Sequence, residues 1–206
     1  MIYQLGNPEL SLPDIRDIIL VPSKSPDQYA DLLDLNAMVY EVEDQLSAPR
    51  CVANALLSDC EGLAKLHGAE VDLSRRFVYN GTQAATGSLG KPGLIPREAL
   101  RFLNKFGVLS EQQYPYDEFA PDEAPPDWAF IEAAKMKVRL YQAVIPPGSS
   151  MEPDARINQA RGSLNDKMPF GIAMPVTESI FTLAGPWQTH QYQPVSTAAP
   201  MVGRHM

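Results

Sequence analysis

Hydrophobic positions fall along the chain in unequal blocks. The densest runs from residue 51 to 67, where Val52, Ala53, Ala55, Leu56, Leu57, Cys60, Leu63, Ala64 and Leu66 leave few polar gaps. That pattern predicts a buried central helix, apolar on most sides, with Gly68 as its stop. Leu73–Tyr79 predicts a short helix with Ser74 as its cap, and residues 80–94 read as a Gly-rich loop. Pro96 to Phe106 is amphipathic: Ala99, Leu100, Leu103 and Phe106 share one face, Pro sits in the first turn, and Gly107 ends the run. Asp127 is placed to cap a helix reaching about Met136. Beyond residue 137 the period shortens. Val138–Val144 alternates like a strand, Pro153–Asp166 predicts a helix, and Phe170–Val176 is an apolar strand. Residues 185–200 read as loop with room for one strand, and Met201–Met206 begins another. Ahead of all this, Pro8, Pro13, Pro22 and Pro26 punctuate an irregular stretch. The expected organisation is α+β: an N-terminal arm (1–36), a helical lobe (37–137) and a strand-rich lobe (138–206). No internal repeat or low-complexity run interrupts it.

Composition narrows the possible partners. The chain has 206 residues with 45% apolar and 20% charged residues, enough for one large domain or two lobes. Seventeen Lys and Arg against 25 Asp and Glu give a net charge of −8. An acidic surface argues against nucleic acid and against anionic membranes, both of which need a basic footprint. No stretch approaches the ~18 apolar residues of a spanning helix. Two cysteines cannot form a disulfide scaffold. The first residues carry neither a basic segment nor an apolar core, so the expected setting is the cytoplasm or a particle assembled there, without secretion by a signal peptide. Asn80-Gly81-Thr82 matches a glycosylation sequon but reads as a turn.

Candidate chemistry centres on Cys51, at the predicted start of the central helix. Exposed amides and the helix dipole there favour a thiolate, and a nucleophilic Cys needs that placement plus a His to take its proton. The competing reading is a small buried apolar residue. Cys60 lies nine residues on, about 13.5 Å along the helix and on its opposite side, too far for a disulfide and best read as core packing. Gln45 precedes Cys51 by six positions and could donate to an oxyanion beside the Cys51 backbone N–H. His205 follows by 154 positions, near the roughly 130–150 of papain-type enzymes. His67 suits the end of a helix, and His190 sits in a polar loop. No His-x-Glu-x-x-His or Cys-x-x-Cys spacing supports zinc. Gly90-Lys91 fails as a phosphate loop because Ala85 and Pro92 replace the required Gly and Ser/Thr. No Gly-x-Ser-x-Gly supports serine chemistry. Asp122-Glu123 and Glu41, Glu43 and Asp44 read as solvated charge, and Tyr114 and Tyr116 as packing for a Pro-rich loop.

Six segments in order then resemble the papain-like cysteine peptidases, most of all their bacterial and phage-borne members. Val39-Tyr40 through Asp44-Gln45 to Cys51-Val52-Ala53-Asn54-Ala55 is similar to the opening "VYDQGQLGSCVANA". Leu73–Tyr79 resembles the second helix. Gly93–Gly107 resembles "G-x-x-x-R-x-A-L…K-x-G", and Val108–Glu111 with Tyr114–Asp117 resembles "V-x-x-E…W-P-Y". Met168–Ile172 resembles "P-V-x-x-G-I", and Gly203-Arg204-His205 the catalytic-His strand "G-G-H-A". The resemblance spans residue 33 to the last residue. It implies a two-lobe papain-like fold, a thiol peptidase or amidase with Cys51 as nucleophile, His205 as base and acid and Gln45 as oxyanion donor, a peptide or protein substrate in the cleft, and no cofactor or metal.

Departures from the pattern keep a second reading open. Pro49 and Arg50 replace small residues beside the nucleophile, where Arg50 would either obstruct the cleft or favour the thiolate. The sequence ends one residue past His205, and the Asn that orients the imidazole in the family has no counterpart. The second lobe is therefore expected to be an incomplete barrel, and unpaired strand edges invite a protein partner that completes it. The alternative function is a catalytically impaired peptidase-like fold used as a structural component of a larger assembly, such as a phage virion or tail. A third idea places residues 1–36 in the cleft as an inhibitor.

Overall fold

The structure, a computed structural model, describes residues 11–177 and the strand 201–205. Its elements, among the described residues, are the helices α1 (Cys51–Leu66), α2 (Arg75–Thr86), α3 (Pro96–Lys105), α4 (Asp127–Ala133) and α5 (Pro153–Asn165), then the strands β1 (Met174–Thr177) and β2 (Met201–His205). Single 3-10 turns at Pro26–Gln28 and Asn36–Met38 punctuate the segment before α1.

Helix α1 is central because its apolar run leaves it no solvent face to prefer. Cys51, Val52, Ala53, Leu56 and Leu57 are all buried, and α2 and α3 pack against it. An aromatic cluster fills the space between α2, α3 and α4. Phe77 lies 5.5 Å from Phe102, 5.7 Å from Phe130 and 5.9 Å from Tyr114, centroid to centroid, and Phe106 joins Phe102 at 5.1 Å and Phe130 at 5.5 Å. Tilted and edge-on contacts of this kind add to the area each ring removes from water. One ion pair is sunk in the same body. Arg75, the first residue of α2, bonds both carboxylate oxygens of Glu61 on α1 at 2.5 and 2.6 Å, with side-chain exposures of 2% and 1%. Glu61 also accepts from the Leu73 amide at 2.8 Å, and Arg75 donates to the Leu73 carbonyl at 2.7 Å. Hydrogen bonds of this number are what a buried pair needs to offset desolvation.

Several sequence expectations need correction. The loop expected from residue 80 begins later, because α2 runs on to Thr86 and ends on Gly87 in the left-handed region at φ 67°. Ser74 does cap it, accepting from Phe77 N at 3.1 Å. The turn expected at Asn80-Gly81-Thr82 is thus helical and buried. A Cβ at Gly81 would stand 2.2 Å from Phe102 Cζ, so the glycine is there to let α3 approach. The expected strand Val138–Val144 is not a strand: Asn104 Nδ2 takes the carbonyls of Val138 and Arg139 at 2.8 and 3.1 Å. Only Ala143 of that stretch forms a bridge, parallel to Ile19. Asp127 is the first residue of α4 behind Pro126 rather than its cap, and the helix stops at Ala133. Its end is fixed by Gly107, at φ 92°, where a Cβ would fall 1.9 Å from Ala133 O.

The strand-rich second lobe is not seen among the described residues. That half shows α5 and a two-stranded antiparallel sheet, β1–β2, pairing Met174 with His205, Pro175 with Arg204 and Val176 with Gly203, then slipping to pair Thr177 with Met201. The expected loop at 185–200 and His190 lie outside the described residues.

The described segment before α1, from residue 11, is irregular, as its prolines predict, and it is firmly anchored. Arg97 and Arg101 of α3 pair with Asp17 at 2.5 Å and Asp14 at 3.0 Å. Leu20 N donates to Ala143 O and Ala143 N to Ile18 O, each at 2.9 Å. At the C-terminal end of α5, the capping residue Asp166 accepts from the Ser23 amide at 2.7 Å and from its hydroxyl, and Asn165 Oδ1 accepts from Ala30 N at 2.9 Å. Gly162 makes the approach possible, since a Cβ there would lie 2.4 Å from Pro22 Cγ and 2.5 Å from the Tyr29 hydroxyl.

Candidate active site

Cys51 is the first residue of α1 and is buried. Arg50 stands before it at φ −107° and caps with its carbonyl rather than its side chain, accepting from Asn54 N at 3.1 Å and Asn54 Nδ2 at 3.0 Å. These two hydrogen bonds from Asn54 pin the first turn. Cys60 contrasts with Cys51: it is partly buried against the core, and burial, with Asp59 and Glu61 adding to it, pushes its thiol up to about 12. A thiol so placed stays protonated and unreactive, in keeping with a packing role.

Gln45 leads into the same helix start through a tight turn. Ala48 N bonds Gln45 O at 3.2 Å, Arg50 N bonds Ala48 O at 2.8 Å, and Leu46 N bonds Asp44 Oδ1 at 2.8 Å. Leu46 sits in the left-handed region at φ 55°, where the family opening has Gly and where a branched side chain is strained. Gln45 is half-buried.

The Arg50 side chain is directed inward rather than to the surface. It is 2% exposed, with the guanidinium 5.3 Å from the Tyr79 ring centroid and 5.0 Å from that of Tyr116. It donates to Asp117 O at 2.8 Å and faces Asp122 at 3.8 Å. Tyr116 in turn donates its hydroxyl to Gln45 O at 2.6 Å. Glu118 Oε2 accepts from Ser47 N at 3.0 Å and Ser47 Oγ at 2.5 Å, and those two hydrogen bonds hold its carboxyl below the usual range. Burial raises the Tyr116 phenol. By sequence alone Tyr116 reads as packing for its loop and Asp122 as solvated charge. Neither spacing nor composition marks residues that meet only through a guanidinium.

His205 is the last residue of β2, opposite Met174. Gln45 and Cys51 thus share one turn–helix junction, and His205 arrives on a separate element. Behind α1, a cavity of about 380 Å³ is lined by Leu33, Met38, Tyr40, Asp59, Gly62 and Pro169. Burial lifts the Asp59 carboxyl there to about 6. Among the described residues no group of three or more His, Cys, Asp or Glu could hold a metal ion, and no helix is long and apolar enough to cross a membrane.

No protein-family model matches the chain. No curated protein matches it either. Solved structures do. Xylellain, a cysteine protease from Xylella fastidiosa, superposes with a TM-score of 0.78 at 22% identity, over 98% of this chain and 78% of that one. Digestive procathepsin L 3 of the Tenebrio molitor larval midgut superposes with a TM-score of 0.56 at 23% identity, over 76% of this chain and 48% of that one. At these identities the likeness is one of fold, and the chain therefore has a papain-like fold.

Proposed function

We propose that the chain is a papain-like thiol peptidase or amidase domain acting on peptide or protein amides. The observation that carries this reading is the placement of Cys51 as the first residue of the 16-residue α1, in a chain that superposes over 98% of its length on a cysteine protease. A helix N-terminus favours negative charge, which suits an attacking thiolate. In this reading residues 37–137 form the helical lobe that carries Cys51, and His205 comes to the cleft from the second lobe, 138–206.

The chemistry follows. The Cys51 sulfur bonds the amide carbonyl carbon while His205 takes the thiol proton. The carbonyl electron pair moves onto oxygen, where the Gln45 side-chain amide and the Cys51 N–H donate to it. The tetrahedral adduct collapses, breaking the C–N bond as His205 returns its proton to the leaving amine. Water, deprotonated by His205, then attacks the thioester and releases the acid and the thiol.

Alkylation rates at Cys51 and Cys60, followed separately by mass spectrometry with iodoacetamide from pH 4 to 9, test the reading. Fast reaction of Cys51 at pH 5–6, abolished by His205→Ala, with Cys60 protected throughout, is the expected result. Reaction of Cys51 only near the ordinary thiol pKa of about 8.5, or none, overturns it in favour of a scaffold in a larger assembly.

A further inference from the structure

We propose that Arg50 and Tyr116 are positioning residues for the oxyanion site, clamping the Asp44–Arg50 turn onto the Tyr116–Asp122 loop; this rests on the peptidase reading above. The family opening has small residues at these places and depends on glycine for its shape. This chain has Leu46, Pro49 and Arg50 instead, and the turn they form carries backbone strain at Leu46, φ 55°. A strained turn persists only where its surroundings over-determine it.

Here the surroundings are identifiable. The Arg50 guanidinium carbon lies over the rings of both Tyr79 and Tyr116, with centroid distances of 5.3 and 5.0 Å, and the side chain is tied to Asp117 O at 2.8 Å. The same Tyr116 bonds the carbonyl of Gln45 at 2.6 Å, and Glu118 bonds Ser47 at 3.0 and 2.5 Å. The loop therefore grips the turn at its start, middle and end. Both proposed oxyanion donors sit at the ends of that turn: the Gln45 side chain at one and the Cys51 N–H at the other. Oxyanion stabilisation depends on donors held in place before reaction, and small misplacements are costly. Arg50 suits this use because its planar guanidinium stacks on rings while donating in its own plane, which a lysine cannot do. The clamp accounts for a large cation beside a nucleophile: its charge and bulk are spent inside the body, away from the substrate.

Two variants, Tyr116→Phe and Arg50→Lys, test the clamp with three readouts. On a peptide amide substrate, each is expected to lower kcat about tenfold with KM within twofold. The iodoacetamide rate at Cys51 should stay unchanged, because displacement at an alkyl iodide builds no oxyanion. Amide hydrogen exchange at Leu46, Ala48 and Arg50 should quicken about tenfold, while the Phe106 amide, bonded to Phe102 O at 2.8 Å, keeps its protection. Unchanged exchange within the turn overturns the clamp whatever the turnover. So does a parallel fall of kcat and alkylation, which marks general loosening of the fold. A wild-type chain that hydrolyses no amide refutes the peptidase reading alone, and the exchange data still decide whether Arg50 and Tyr116 fix the turn.

Discussion

Between Cys51 and Ala133, buried side chains form one apolar cluster in which Phe77 meets Phe102, Tyr114 and Phe130. Between the arm and α5, polar joints (Ser23 on Asp166, Ala30 N on Asn165, Gln159 on the Leu20 carbonyl) accompany a small apolar contact of Pro22 and Tyr29 on Gly162. Leu12, Ile15 and Val21 of the arm stand out in solvent. The body removes much apolar area from water, the dominant favourable contribution to folding. The arm adds hydrogen bonds that exchange with water at modest net gain, about 1 kcal/mol each. The body should therefore fold with or without the arm, whereas the arm has no order of its own to fall back on.

The contrast can be broken most severely inside the body. Arg75→Leu leaves the Glu61 carboxylate buried without its partner, and the unfolding free energy should fall by about 3–5 kcal/mol. Adding Glu61→Leu should recover much of that, and urea titration of both single variants and the double variant measures the coupling. The seam between body and arm responds to pH. Asp59 has a folded pKa of about 6 against an ordinary 3.8. The stability linked to its neutral form is present below pH 3.8 and is lost as pH rises through about 6. Asp59→Asn should therefore stabilise the chain at pH 7.5 by up to about 3 kcal/mol and change little at pH 3.5, as judged by thermal melts. Smallest is the arm itself. Gly162→Ala drives a methyl toward Pro22 and Tyr29, costing about 1–2 kcal/mol. Protease should then cut within residues 11–36 faster while α1–α4 stay intact. Equal susceptibility of arm and body would show that the two regions are one cooperative unit.

These two regions were also unequally legible in the sequence. Helices α1, α3 and α5 could be read because periodicity and their Pro and Gly ends are local signals, and Cys51 could be placed at a helix start for the same reason. The continuation of α2 through Gly81 could not, since that glycine answers to a ring on α3. Val138–Val144 alternates as a strand would, but alternation does not say whether a strand edge or an asparagine side chain will take its carbonyls. At the site, the identity of Cys51, Gln45 and His205 as candidates came from spacing and resemblance. The direction taken by Arg50 did not, because it is decided by Tyr79 and Tyr116, which are distant in sequence.

The reach of the arm also bears on the order in which the chain is made. Ser23 binds Asp166 across 143 positions, and Ala30 binds Asn165 across 135. Synthesis runs from the N-terminus, so the arm emerges before the helices and has no completed berth until α5 has left the ribosome. By then the whole stretch from Cys51 to Ala133 is already out and free to collapse on its own aromatic residues. Long-range closures of this kind are slow relative to local helix packing. Docking of the arm is therefore expected as a late step in refolding, after the helices have formed, although the arm precedes them in the chain.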